Sequence, residues 1–147
     1  MGGVGLGGGG LGDARQLELV RIRTEVKASF VLDAPVVVHG LAGYRTILYY
    51  LDFQSPVRTP LTVQARIYWL WDEDADPITD GFMAVRRDVV QDLVIDEPLL
   101  PIVGANTTQR VILPLANPGG ALAVAVGLRD VSGVGGGYVT EWVTAES

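Results

Sequence analysis

The chain has 147 residues, a formal net charge of −6, one histidine, no cysteine and 48% hydrophobic residues. Its length suits one domain that buries roughly 68 to 70% of its unfolded surface, enough for a core without disulfide or metal. Lack of cysteine removes disulfides, thiolate chemistry and cysteine-ligated zinc; the acidic balance and scattered basic residues argue against nucleic acid; and no uncharged apolar run approaches the roughly 20 residues of a spanning helix.

Residues 1–14 read as a flexible glycine-rich arm, because Met1 to Gly12 carries too few side chains to offset its ordering entropy. The glycines around Val4, Leu6 and Leu11 interrupt any continuous apolar core of a secretory signal, so none is expected. Residues 15–147 read as one β-sandwich domain.

From Leu17 to Leu32, Val20, Ile22, Thr24, Val26, Ala28, Phe30 and Leu32 alternate with Arg21, Arg23, Glu25, Lys27, Ser29 and Val31. That period of two predicts a long strand with the first set buried. Asp33 to Pro35 makes a turn, Pro35 to His39 a short apolar strand, and Gly40 to Gly43 a break. Tyr44 to Phe53 is apolar on both faces, as in a central strand covered on both sides by a second layer or a partner. After a loop at Gln54 to Pro60, Leu61, Val63, Ala65, Ile67, Trp69 and Trp71 line one face of a strand ending at Trp71. Both tryptophans thus belong to the core rather than to a sugar-stacking platform.

Asp72 to Gly81 is an acidic loop in which Asp72, Asp74, Asp76 and Asp80 occupy positions 1, 3, 5 and 9 of a calcium-loop pattern. Pro77 stands where that pattern needs its glycine, and Met83 where it needs a bidentate glutamate, so calcium is a weakly encoded cofactor; none other is indicated. Phe82 to Ile95 fits two periods. Val89, Val90, Leu93 and Val94 suit one short helix capped by Asp80, and a strand pair split near Asp88 fits as well, with Pro98 and Pro101 ending either.

A strand from Asn106 onward points Val111, Leu113 and Leu115 to one side, and Pro114 places that strand at a sheet edge or marks its end. The turn at Asn117 to Gly120 reads as a hairpin leading into Leu122, Val124, Val126 and Leu128, which alternate with Ala121, Ala123, Ala125 and Gly127. Small residues let another backbone approach closely, either within the domain or across a subunit seam. Gly133 to Gly137 is a second glycine loop, and Tyr138 to Ala145 a last strand with Tyr138, Thr140 and Trp142 opposed to Val139, Glu141 and Val143. The sum is an all-β antiparallel sandwich or jelly roll of about seven or eight strands.

No catalytic set emerges. His39, the single histidine, closes an apolar strand and reads as structural, and Ser29, Ser55, Ser132 and Ser147 sit in no nucleophile elbow. Neither glycine-rich segment has the strand, lysine and helix context of a phosphate loop. The chain is therefore not expected to be an enzyme.

A compact β-domain with a glycine-rich arm, double-faced apolar strands and a small-residue strand face suits a subunit of an assembly. In strand number, arm and composition it resembles the small β-sandwich or jelly-roll structural proteins of virions, such as capsid, decoration or tail components of bacteriophages. That resemblance implies localisation in a virion and, as partners, copies of the same chain or other virion proteins, with no nucleic acid or membrane. Gly7, Gly8, Leu11, Ala121, Ala123 and Ala125 are the expected interface residues. The alternative is a carbohydrate- or other ligand-binding β-sandwich, assisted by calcium at Asp72, Asp74, Asp76 and Asp80.

Overall fold

Eight strands make up the fold in a computed structural model that describes residues 18–71 and 93–146. They are β1 (Glu18–Glu25), β2 (Val38–His39), β3 (Thr46–Gln54), β4 (Val63–Leu70), β5 (Leu93–Leu99), β6 (Thr108–Ala116), β7 (Ala123–Asp130) and β8 (Tyr138–Glu146). Two four-stranded sheets result, in the orders β1-β8-β3-β6 and β2-β7-β4-β5. Every pairing is antiparallel. The fold is thus an all-β sandwich, and the described residues contain no helix.

The pairings are nested: β4 with β5 innermost, then β3 with β6, β2 with β7, and β1 with β8 outermost. Between the sheets lies one apolar core, to which β3 contributes Ile47, Tyr49, Leu51 and Phe53, and β4 contributes Val63, Ala65, Ile67 and Trp69. Alternation of this kind is what a strand with one inward face requires.

Sequence and structure part at several points. The first strand is half as long as its alternation predicts, and its parity is broken around Arg21, which is buried while Ile22 is 68% exposed. Val26 and Phe30 beyond it are buried as predicted, and Leu32, outside the strand, is exposed. Register shifts between Leu19 and Arg21 and between Arg21 and Thr24 mark bulges, which insert residues and re-aim the side chains that follow. The turn at Asn117 to Gly120 is not a hairpin. It carries the chain from β6 in one sheet to β7 in the other, with Gly119 and Gly120 at φ of 64° and 75° and the Asn117 amide bonded to Tyr44 O and to Ala121.

Leu93 to Ile95 belong to a strand rather than to a helix; the rest of the 82–95 segment lies outside the described residues. Pro98 does not end that strand but sits within it. β5 is an edge strand, and the pairing skips from Gln64–Leu99 to Arg66–Asp96, leaving proline at a bulge where no ladder donor is needed. Pro114 obeys the same rule on β6, the edge of the other sheet.

Candidate functional site

The two sheets treat their outer faces differently. On the β2-β7-β4-β5 sheet, Tyr68 and Leu70 of β4 and Ala123 and Ala125 of β7 form a second buried cluster, joined by Val37. A Cβ built on Gly127 would stand 3.0 Å from Tyr68 Cε2 and 3.6 Å from Phe30 Cδ1, so both rings lie over the glycine. The Arg66 and Arg129 guanidiniums cover Phe30, at 4.3 and 5.5 Å from its centroid. The connection between β1 and β2 thus drapes over this face. Ala121, Ala123 and Ala125 have no exposed surface of their own.

The face of the β1-β8-β3-β6 sheet is open. The register aligns Leu19 with Trp142, Trp142 with Tyr50 and Tyr50 with Ile112, so one apolar row crosses all four strands. Leu19 is 44% and Ile112 49% exposed, while Tyr50 and Trp142 are half-buried. The neighbouring row, Thr144, Leu48 and Pro114, continues the patch. Polar side chains border it. Arg110 donates to both Asp52 oxygens, at 2.6 and 2.9 Å, and lies 5.6 Å from the Tyr50 centroid. The Arg110 bonds hold the Asp52 carboxyl below its ordinary range.

Beneath this face, charged residues occupy the core. Arg21 Nε donates to Glu141 Oε2 at 2.5 Å and Nη1 to Asp33 Oδ1 at 2.7 Å, while Nη2 also contacts Glu141 and reaches Val126 O at 3.4 Å. Asp33 Oδ2 accepts the Leu128 amide at 2.8 Å. These contacts have a topological cause. β2 pairs with β7 only at Val124 and Ala123, so beyond them β7 has no neighbouring strand on the side away from β4. Arg21 takes the Val126 carbonyl, Asp33 the Leu128 amide and Lys27 O the Asp130 amide, replacing the missing strand.

Two carboxylates share one guanidinium here, and the protonation states follow. Burial pushes the Glu141 carboxyl up to about 7, against the pull of Arg21. Burial works against the Arg21 charge, yet Glu141 and Asp33 outweigh it and hold its proton more tightly than usual. Burial and then Glu141 drive the Tyr49 phenol upward, and Tyr49 Oη and Glu141 Oε1 complete no hydrogen bond.

Asp72, Asp74, Asp76 and Asp80 lie outside the described residues, as do Gly7, Gly8 and Leu11. His39 is exposed at the end of β2, opposite Ala123. Trp69 is in the core, and Trp71 packs against it while donating to Gly119 O at 3.1 Å. Among the described residues no three His, Asp or Glu side chains gather as metal ligands, and no helix is long and apolar enough to cross a membrane. Comparison with protein-family models, curated proteins and solved structures finds no match.

Sequence reasoning missed Arg21 and Asp33. A signal for Glu141 was legible, since it shares a face with Val139 and Val143. For Arg21 there was none, because a bulge and not the alternation turns it inward.

Proposed function

We propose that the chain is a structural subunit of a protein assembly, of the kind that builds capsids, decorations or tails of virions. The carrying observation is the apolar row Leu19, Trp142, Tyr50 and Ile112, which crosses a whole sheet face while the opposite face of the sandwich is covered by the chain itself. A continuous apolar strip bordered by polar side chains is what a subunit contact needs. Partners on this reading are copies of the chain or other proteins of the particle, with neither nucleic acid nor membrane.

The nested pairing supports a jelly roll, because one long antiparallel ribbon, folded at β4–β5 and wrapped, yields the sheet orders 1-8-3-6 and 2-7-4-5. On this account β1 is held in place by Arg21, so the open face is rigid before a partner arrives. Assembly then requires little reordering of the sheet.

The reading predicts closed particles, rings or regular arrays of uniform size in negative-stain images of the concentrated full chain. A field of isolated single subunits opposes it. Calcium-assisted carbohydrate binding, the alternative, rests on aspartates outside the described residues, and no observation favours it over assembly.

A further inference from the structure

The second bulge of β1 leaves Arg23 at a φ of 37°, a left-handed conformation that a side-chain-bearing residue adopts at an energetic cost. Its guanidinium lies 4.2 Å from the Tyr138 centroid, and its backbone amide donates to Thr140 Oγ1 at 3.0 Å. Among the described residues no carboxylate pairs with it. The acids nearby are engaged elsewhere: Glu25 with Lys27, and Asp52 with Arg110. Arg23 stands at the rim of a shallow depression of about 390 Å³, shared with Asp52, Gln54, Thr108, Arg110 and Tyr138.

A guanidinium stacked on an aromatic ring keeps its edge donors free for a planar anion, and carboxylate matches that fork. The polar part of the remaining lining is amide and hydroxyl, with one carboxylate, Asp52, paired with Arg110. Such a rim accepts hydroxyl groups, and of its two guanidiniums Arg110 is already held by Asp52, which leaves Arg23 for an anion.

We propose that this depression binds an acidic sugar: Arg23 takes the uronate carboxylate and Asp52, Gln54 and Thr108 take ring hydroxyls. The site lies beside the apolar row, and the inference is independent of assembly.

Titration calorimetry of the full chain tests it, with a uronic-acid trisaccharide as probe and a neutral trisaccharide of the same linkage, sodium acetate and inorganic phosphate as controls. The expected result is saturable binding of the uronate alone, weakened about tenfold or more in Arg23→Gln with an unchanged thermal midpoint. Arg23→Gly removes the same donors at a φ that glycine tolerates, so it keeps the fold and loses the ligand. The proposal is overturned by absence of uronate binding, by equal binding of either variant, or by equal affinity for the neutral sugar, acetate or phosphate.

Discussion

Arg21 and Glu141 face each other across the β1–β8 pair, inside the sandwich, and their side chains join at 2.5 Å where the strand alternation predicts a solvent-facing arginine. Through Asp33 the same guanidinium ties the β1–β2 connection to the open edge of β7. One cation thus binds three segments that would otherwise leave buried backbone groups unpaired.

Removing that cation strands two carboxylates in the core. Arg21→Met should therefore cost about 3 to 5 kcal/mol in urea unfolding, the range for breaking one side of a buried ion pair. The double variant Arg21→Met with Glu141→Leu should lose less than Arg21→Met alone, because one orphaned charge is gone. A double variant as unstable as the sum of the singles would show that the two residues do not act together.

Glu141 makes stability depend on pH. Its carboxyl is raised from 4.5 to about 7, so between those values the folded chain holds a proton that the unfolded chain has released. Its contribution is full below 4.5, falls as pH rises to about 7 and is flat above. At 1.36 kcal/mol per unit this amounts to about 3 kcal/mol. Asp52 and Asp96, lowered by Arg110 and Arg66, act in the opposite sense, losing their contribution as pH falls, but they are partly exposed and contribute little. The difference in urea midpoint between the native chain and Glu141→Gln, followed from pH 4.5 to 8, isolates the effect. A difference constant across that range contradicts it.

Gly137 begins no turn of its own, yet no side chain fits there. A Cβ at that position would lie 2.7 Å from Leu61 Cδ1, in the core. Gly137→Ala should destabilise by about 1 to 3 kcal/mol, the usual cost of overpacking. Gly133, at a φ of 71° with open space around it, should lose stability in Gly133→Ala through backbone strain instead. Replacing Leu61 by alanine in the Gly137→Ala background separates the two mechanisms: recovery relative to Leu61→Ala marks a steric clash.

Much of the architecture was legible from period-two alternation, since Val63 to Trp69 and Val111 to Leu115 bury the predicted side, whereas Tyr44 to Phe53, expected to be covered on both faces, buries only Ile47, Tyr49, Leu51 and Phe53. Strand order was not, because sheets are chosen by long-range pairing, and the turn at Asn117 looks the same locally whether it makes a hairpin or a crossover. The site was least legible. Its apolar row is assembled from four strands far apart in sequence, and Arg21 is turned inward by a bulge that leaves no mark on the residue pattern. Ala123 and Ala125, expected at an interface, lie in a buried cluster with Tyr68 and Leu70 of the same chain.

The central claim, that the open sheet face joins subunits, is tested most directly by light scattering of the full chain and of Ile112→Lys over one concentration series. Ile112 is 49% exposed on an edge strand, so lysine there leaves the fold intact while placing a charge in the row. The account predicts a discrete oligomer for the native chain and a mass shifted to the single subunit for the variant, with equal thermal midpoints for the dissociated species. A native chain that stays monomeric throughout, or an oligomer indifferent to the lysine, contradicts it.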